Sequence, residues 1–267
     1  MQDATCFHAL CREEHDAIRS LGFKNPIAII PNGIGLPAAT QQMKTERLSN
    51  STSEKKSRKR LLFLGRIHQK KGLDNLLQAW GKLNPVDWEL VIAGETKDAV
   101  YMKQLRDKTN ELNISETVSF VGGQYGAAKH TVLMNSDAFI LPSFSEGLPM
   151  SVLEAWSWRL PVLMTPFCNL AEGYVHNAAI QIETTPESIS AGIKKIISMP
   201  ENERLEMGQH GFDLVKDKFS WSQVANSMTH LYNWVLGKAD KPDFVFTVDA
   251  PGKPYTINTS YAKRITA

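Results

Sequence analysis

The segment Asp137-Ala-Phe-Ile-Leu-Pro-Ser-Phe-Ser-Glu-Gly-Leu-Pro-Met-Ser-Val-Leu-Glu-Ala155 predicts a strand, a loop and a helix in direct succession. Its first part is an apolar run typical of a buried strand, and Pro149 suits the first turn of the helix. Glu146 lies in the loop, and Glu154 lies about a turn and a half into the helix. Ligands bind at this edge of an open parallel sheet, so the two glutamates are predicted to flank a cleft. By their spacing alone they are also compatible with an ordinary surface loop and helix.

The same alternation of predicted strands and helices extends over most of the chain. Short apolar runs predict strands and segments of period 3.6 predict helices; the predicted strands of this region are 61–64, 89–93, 117–120, 138–141, 161–164 and 179–182. Such alternation indicates a parallel sheet covered by helices on both faces. The predicted fold class is therefore α/β, with a Rossmann-like parallel sheet flanked by helices.

The remaining segments divide the chain into four parts. Residues 1–36 show a short β-α-β-like pattern, 37–59 are predicted to be a polar linker or loop, and 237–267, with three prolines, an irregular tail. The Rossmann-like domain with its C-terminal helices is placed at 60–236.

Composition narrows the function classes. The 267 residues are 42% hydrophobic and carry a net charge of +2, which argues against nucleic-acid binding. Three cysteines favour a reducing compartment over a disulfide scaffold. No apolar run approaches the roughly 18 residues of a membrane span, so we expect a cytoplasmic protein with at most peripheral contact to the inner face of a membrane.

A basic loop follows the first strand of the regular region. In Gly65-Arg-Ile-His-Gln-Lys-Lys-Gly72, Gly65 allows close backbone approach, Arg66 offers a planar fork for phosphate oxygens, and Lys71 adds a point charge. This loop alone could equally be a solvated basic turn. Together with the amides at the start of the Pro149 helix, around Gly147 and Leu148, it is predicted to hold a diphosphate without a metal. The chain contains no Asp-x-Asp motif.

These motifs resemble those of retaining family 4 glycosyltransferases of the two-Rossmann-domain (GT-B) fold. The similarity rests on segments in family order, namely Ile30-Pro-Asn-Gly-Ile34, Gly65-Arg66 with Lys71-Gly72, Val118-Ser-Phe-Val-Gly122, Glu146 to Ala155, Leu160 to Thr165, and Phe219-Ser-Trp221. The chain is similar to the C-terminal, donor-binding part of such enzymes. Residues 1–36 would then be the remnant of the N-terminal acceptor domain.

The resemblance implies roles for matching positions. Arg66 and Lys71 would hold the donor diphosphate and stabilise the leaving group, which with Glu146 makes them the expected catalytic residues. Glu146 would contact the donor sugar and Glu154 the ribose. The remaining expected donor-binding residues are Gly65, Val121, Gly122, Gly147, Leu148 and Pro149. No metal and no cofactor is expected, since the nucleotide-diphosphate sugar is itself the substrate.

The expected function is transfer of a sugar, with retention, to an unknown glycan or lipid-linked acceptor in polysaccharide or lipopolysaccharide synthesis, as a hexosyltransferase. Because most of the acceptor domain is expected to be missing, the chain alone should bind donor weakly and transfer poorly. A separate chain could supply that domain. The alternative is a non-catalytic nucleotide-sugar-binding module or partner subunit.

Overall fold

The structure is a computed structural model that describes residues 3–37 and 58–248. It divides into two compact units, one formed by Met1–Ile30 with Ser227–Ala267 and the other by Pro31–Asn226. The predicted linker at 37–59 falls largely outside the described residues. Its last residue, Lys59, already belongs to a strand.

The strands follow the apolar runs of the sequence. They are β1 (Phe7–Ala9), β2 (Ile27–Ile29), β3 (Lys59–Leu64), β4 (Trp88–Ala93), β5 (Val118–Gly122), β6 (Ala138–Leu141), β7 (Val162–Met164), β8 (Ala179–Gln181) and β9 (Val245–Phe246). In the larger unit six of them form one sheet in the order β5-β4-β3-β6-β7-β8, with every neighbouring pair parallel. The predicted α/β fold is confirmed.

Helices connect these strands. They are α1 (Arg12–Ser20), α2 (Leu73–Leu83), α3 (Ala99–Glu111), α4 (Gly126–Met134), α5 (Met150–Ser157), α6 (Glu172–Val175), α7 (Pro186–Ser198), α8 (Glu201–Leu214) and α9 (Trp221–Val235). The face of α2 that carries Leu73, Leu76, Leu77 and Trp80 packs into the core, since all four side chains are fully buried. No helix within 3–37 and 58–248 is long and apolar enough to cross a bilayer.

Within 237–248, the described part of the predicted irregular tail, the structure contains one short strand. Val245–Phe246 forms β9, which pairs antiparallel with β2, while β1 pairs with β2 in parallel on the other side. Arg19 donates a hydrogen bond to the Phe246 carbonyl at 2.9 Å, and the Arg12 guanidinium lies 5.0 Å from the Phe246 ring centre. These partners lie more than 200 residues away in sequence, so the local pattern around Pro242 could not indicate a strand.

Arg159 ends α5 in the left-handed conformation, with φ of 54°. An arginine there costs about 1 kcal/mol more than a glycine. Contacts with α8 offset this cost, because the guanidinium stacks 3.7 Å from the Phe212 ring centre and donates to Gln209 Oε1 at 2.9 Å.

Candidate active site

The sheet has its switch point between β3 and β6. From β3 the chain moves outward through β4 and β5, and from β6 it moves the opposite way through β7 and β8. The loops that leave the carboxyl ends of two such strands diverge and open a crevice, which is where open α/β sheets bind ligands. Here those loops are the segment Gly65–Gly72 and the segment Pro142–Pro149, which carry the predicted basic residues and Glu146.

Lys71 and Glu146 meet in this crevice. The Lys71 Nζ atom lies 2.5 Å from Glu146 Oε1, and the two side chains are only 11% and 9% exposed. The Ser143 hydroxyl donates to the same carboxylate oxygen at 2.6 Å. Two charges this deeply buried are stable when they are paired and hydrogen-bonded, so the pair keeps an ammonium and a carboxylate in place at the switch point.

A close backbone approach holds the two loops together. Gly72 has φ of 72°, and a Cβ atom at this position would lie 2.2 Å from the Pro142 carbonyl oxygen. Phe144 N donates to Lys70 O at 2.8 Å. The segment that contains Lys71 is therefore anchored directly to the loop that contains Glu146.

Replacing Gly72 with alanine is expected to destabilise the protein by about 2–4 kcal/mol, from left-handed strain and the collision with Pro142. Gly122→Ala is the matched control, because φ is 73° there and nothing lies within 4 Å of an added Cβ. That control should cost about 1 kcal/mol. Urea denaturation measures both, and equal losses would contradict the role given to the Gly72–Pro142 approach.

On its other side, the loop that carries Glu146 is hydrogen-bonded to the segment after β7. Glu146 N donates to Phe167 O at 3.0 Å, and the Asn169 amide donates to Glu146 O at 2.7 Å and to Gly147 O at 3.0 Å. Thr165 Oγ1 donates to Ser143 O at 2.6 Å. These hydrogen bonds hold the backbone of the loop at Glu146 in place.

Cys168 lies beneath the site and is fully buried. Burial, together with the nearby charge of Glu146, raises the pKa of its thiol to about 12. The thiol therefore stays protonated at neutral pH, and Cys168 has the properties of a core residue rather than of a nucleophile.

Arg66 differs from Lys71 in its surroundings. Its side chain is exposed, while Gly65 before it and Ile67 after it are bonded into the sheet edge through Ala93 O and Glu95 O. Within the described part of the chain, no ion pair holds the Arg66 guanidinium. It is therefore available to an anion at the mouth of the crevice.

Helix α5 begins directly after Pro149. Pro149 is its N-cap residue, with φ of −75° and ψ of 99°, and Val152 N donates to Pro149 O. The expectation that Pro149 lies inside the first turn is therefore wrong by one position. The fixed φ of proline is compatible with both the N-cap position and the first helical position. The amides of Met150 and Ser151, the first two of α5, have no acceptor within the helix, and they follow closely after Gly147 and Leu148.

Val121 and Gly122 lie at the end of β5, two strands from β3 at the same sheet edge, and both are exposed. Glu95, from the loop after β4, packs so closely on Gly123 that a Cβ there would lie 2.5 Å from its Oε1 atom. A hydrogen bond with Glu95 raises the pKa of Tyr125. This part of the edge is open and bordered by one carboxylate.

Glu154 has a partner that the sequence did not indicate. The Lys129 ammonium, from α4, lies 2.6 Å from Glu154 Oε1. Ser143 was likewise missed as a partner of Glu146. Neither contact has a sequence signal, because both depend on how neighbouring elements pack.

The fold and crevice define an α/β protein of the kind that binds ligands at the switch point of a parallel sheet. The chain belongs to the family "Glycosyl transferases group 1", whose model matches residues 44–213. An uncharacterized glycosyltransferase of Methanocaldococcus jannaschii is 28% identical over 177 residues, 65% of this chain and 44% of the relative. The chain spans about half the length of the curated relatives it matches.

Solved glycosyltransferases of the GT-B fold are similar in structure. Sucrose-phosphate synthase from Thermosynechococcus elongatus matches with a TM-score of 0.75 at 18% identity, over 89% of this chain and 60% of the synthase. Anabaena HepE, solved in complex with UDP and glucose, matches with a TM-score of 0.73 at 14% identity, over 86% of this chain and 63% of HepE. At these identities the likeness establishes the fold.

Proposed function

We propose that the protein binds a nucleoside-diphosphate sugar at the switch-point crevice and takes part in transferring the sugar to an acceptor hydroxyl. The observation that carries this proposal is the buried pair of Lys71 and Glu146, brought together from the loops after β3 and β6. Membership of the glycosyltransferase family supports it, as does the complex of the structurally similar HepE with UDP and glucose.

The proposed donor lies across the crevice with its diphosphate at the basic loop. Arg66 is exposed and offers a bidentate fork, and Lys71 adds a second positive charge behind it. As the bond from the anomeric carbon to the diphosphate oxygen breaks, negative charge develops on that oxygen. Cations held in position before the reaction stabilise that charge, so we propose leaving-group assistance that needs no metal ion.

The two glutamates hold the other parts of the donor in this proposal. Glu146 accepts hydrogen bonds from the sugar, and Glu154 accepts from the ribose, with the base near Val121 and Gly122. The reaction is proposed to proceed with retention on a glycan or lipid-linked acceptor of cell-surface polysaccharide synthesis. These last points rest on the resemblance to family 4 enzymes.

A thermal-shift panel of uridine, guanosine and adenosine diphosphate sugars tests the proposal. A ligand at 100 times its dissociation constant stabilises a protein by about 2.7 kcal/mol, or several degrees in melting temperature. We expect one base to stabilise the protein more than the others. If no nucleoside-diphosphate sugar shifted the melting temperature at millimolar concentration, the proposal would be refuted.

A further inference from the structure

The ion pair of Lys129 and Glu154 joins two helices on one face of the sheet. Helix α4 leads from β5 to β6 and helix α5 from β6 to β7, so both connections run in the same direction along the sheet. Right-handed connections then place both helices on the same face. Besides the ion pair, His130 of α4 lies 5.6 Å, between ring centres, from Trp158, the residue that follows α5.

The pair is half-buried and has unused hydrogen-bonding capacity. Lys129 is 31% exposed and Glu154 22%. An ammonium has three donors and a carboxylate two acceptor oxygens. In the described residues the contact between Nζ and Oε1 is the one side-chain hydrogen bond of either group. The pair therefore presents further N–H donors beside a free carboxylate oxygen.

This combination is complementary to two adjacent hydroxyl groups. One hydroxyl donates a hydrogen bond to the free carboxylate oxygen, while the neighbouring hydroxyl oxygen accepts a hydrogen bond from the ammonium. An apolar residue at position 129 would remove the second of these contacts and leave the diol with the Glu154 carboxylate as its one charged partner in this pair. A cis-diol is a ligand group that uses both charges.

We propose that Lys129 and Glu154 together bind the cis-diol of the donor ribose, with Lys129 as a second ribose-binding residue. This inference rests on the proposed function, in which Glu154 faces the ribose. Glu154 shares a half-exposed stripe of α5 with Met150 and Ser151, at positions i−4 and i−3. That stripe starts where the loop of Glu146 ends, so a ligand can reach from one glutamate to the other.

The test compares ribose with dideoxyribose. Calorimetry gives the affinity of the wild type, Lys129→Met and Lys129→Arg for UDP and for 2′,3′-dideoxy-UDP, with the GDP and ADP pairs run in parallel. Two hydrogen bonds to charged groups predict that the wild type favours the ribose form by about 100-fold or more, and that Lys129→Met loses about 10-fold of this preference. Affinity for the dideoxy form should be unchanged, and Lys129→Arg should retain part of the preference.

Lys108→Met is the matched control. Lys108 is 25% exposed, and its Nζ atom lies 3.2 Å from Asp74 Oδ1, so it also joins two helices, α3 and α2. Asp74 keeps the Tyr101 hydroxyl as a partner. This variant should leave the ribose preference unchanged.

The outcomes separate the inference from the function on which it rests. A wild type that prefers ribose, with Lys129→Met retaining the full preference, would overturn the inference alone and leave Lys129 as a structural link between α4 and α5. A wild type that binds none of the nucleoside diphosphates would overturn the proposed function and this inference with it.

Discussion

Replacing Arg66 with alanine is expected to weaken binding of the nucleoside-diphosphate sugar about 100-fold, since two charge-assisted hydrogen bonds to phosphate are lost. The free protein should keep its melting temperature within about 2 °C, because an exposed side chain outside any described ion pair contributes little to stability. Arg66→Lys should recover part of the affinity, since a lysine restores the charge without the planar fork. Calorimetry and thermal shift measure these effects.

The control for this prediction removes a positive charge elsewhere. Lys194 is exposed on α7, and Lys194→Ala should leave donor affinity unchanged. If Arg66→Ala bound the donor as tightly as that control, the loop after β3 would not be a phosphate site. If both variants lost affinity equally, the effect would come from net charge rather than from the geometry of the crevice.

Arg66 and Lys71 are five residues apart in one loop, yet the structure gives them different physical roles. Arg66 is solvated, so its contribution is made only when an anion binds. Lys71 is buried against Glu146, so it contributes to folding before any donor arrives. A site built this way holds one positive charge fixed and leaves another free to adjust to the ligand.

The sequence predicted those parts of the molecule that follow from local hydrophobic pattern and from the rule that ligands bind at the carboxyl ends of parallel strands. Apolar runs located the strands of the larger sheet, and the rule that parallel strands share one carboxyl edge placed Lys71 and Glu146 together. In the structure the two side chains meet, with 2.5 Å between Lys71 Nζ and Glu146 Oε1. Their roles toward a donor stay predictions.

The rest depends on packing between segments far apart in the chain. Three contacts illustrate this: Lys129 with Glu154, Gly72 with Pro142, and β9 with β2. Each joins segments that come together only when the fold forms. Lysines are common on helix surfaces, so nothing local marks Lys129. Tertiary geometry alone selects it.

Breaking the buried pair is expected to produce the largest loss of stability at the site. Lys71→Met leaves the Glu146 carboxylate buried with only the Ser143 hydroxyl as a side-chain partner within the described residues, and uncompensated buried charges cost about 3–5 kcal/mol. Glu146→Gln leaves the Lys71 ammonium without its counter-charge and should cost a comparable amount. Both variants should also lose donor binding, because each removes a group proposed to contact the donor.

The double variant Lys71→Met/Glu146→Gln distinguishes a coupled pair from two independent contributions. Removing both charges leaves neither one uncompensated, so the double variant should be more stable than the sum of the single losses predicts, by about 2 kcal/mol. Urea denaturation of the four proteins gives the coupling energy, provided the m-values agree. Strict additivity would contradict a mutual charge interaction. A coupled double variant that remains folded but binds no donor would show that the buried pair serves both the fold and the ligand.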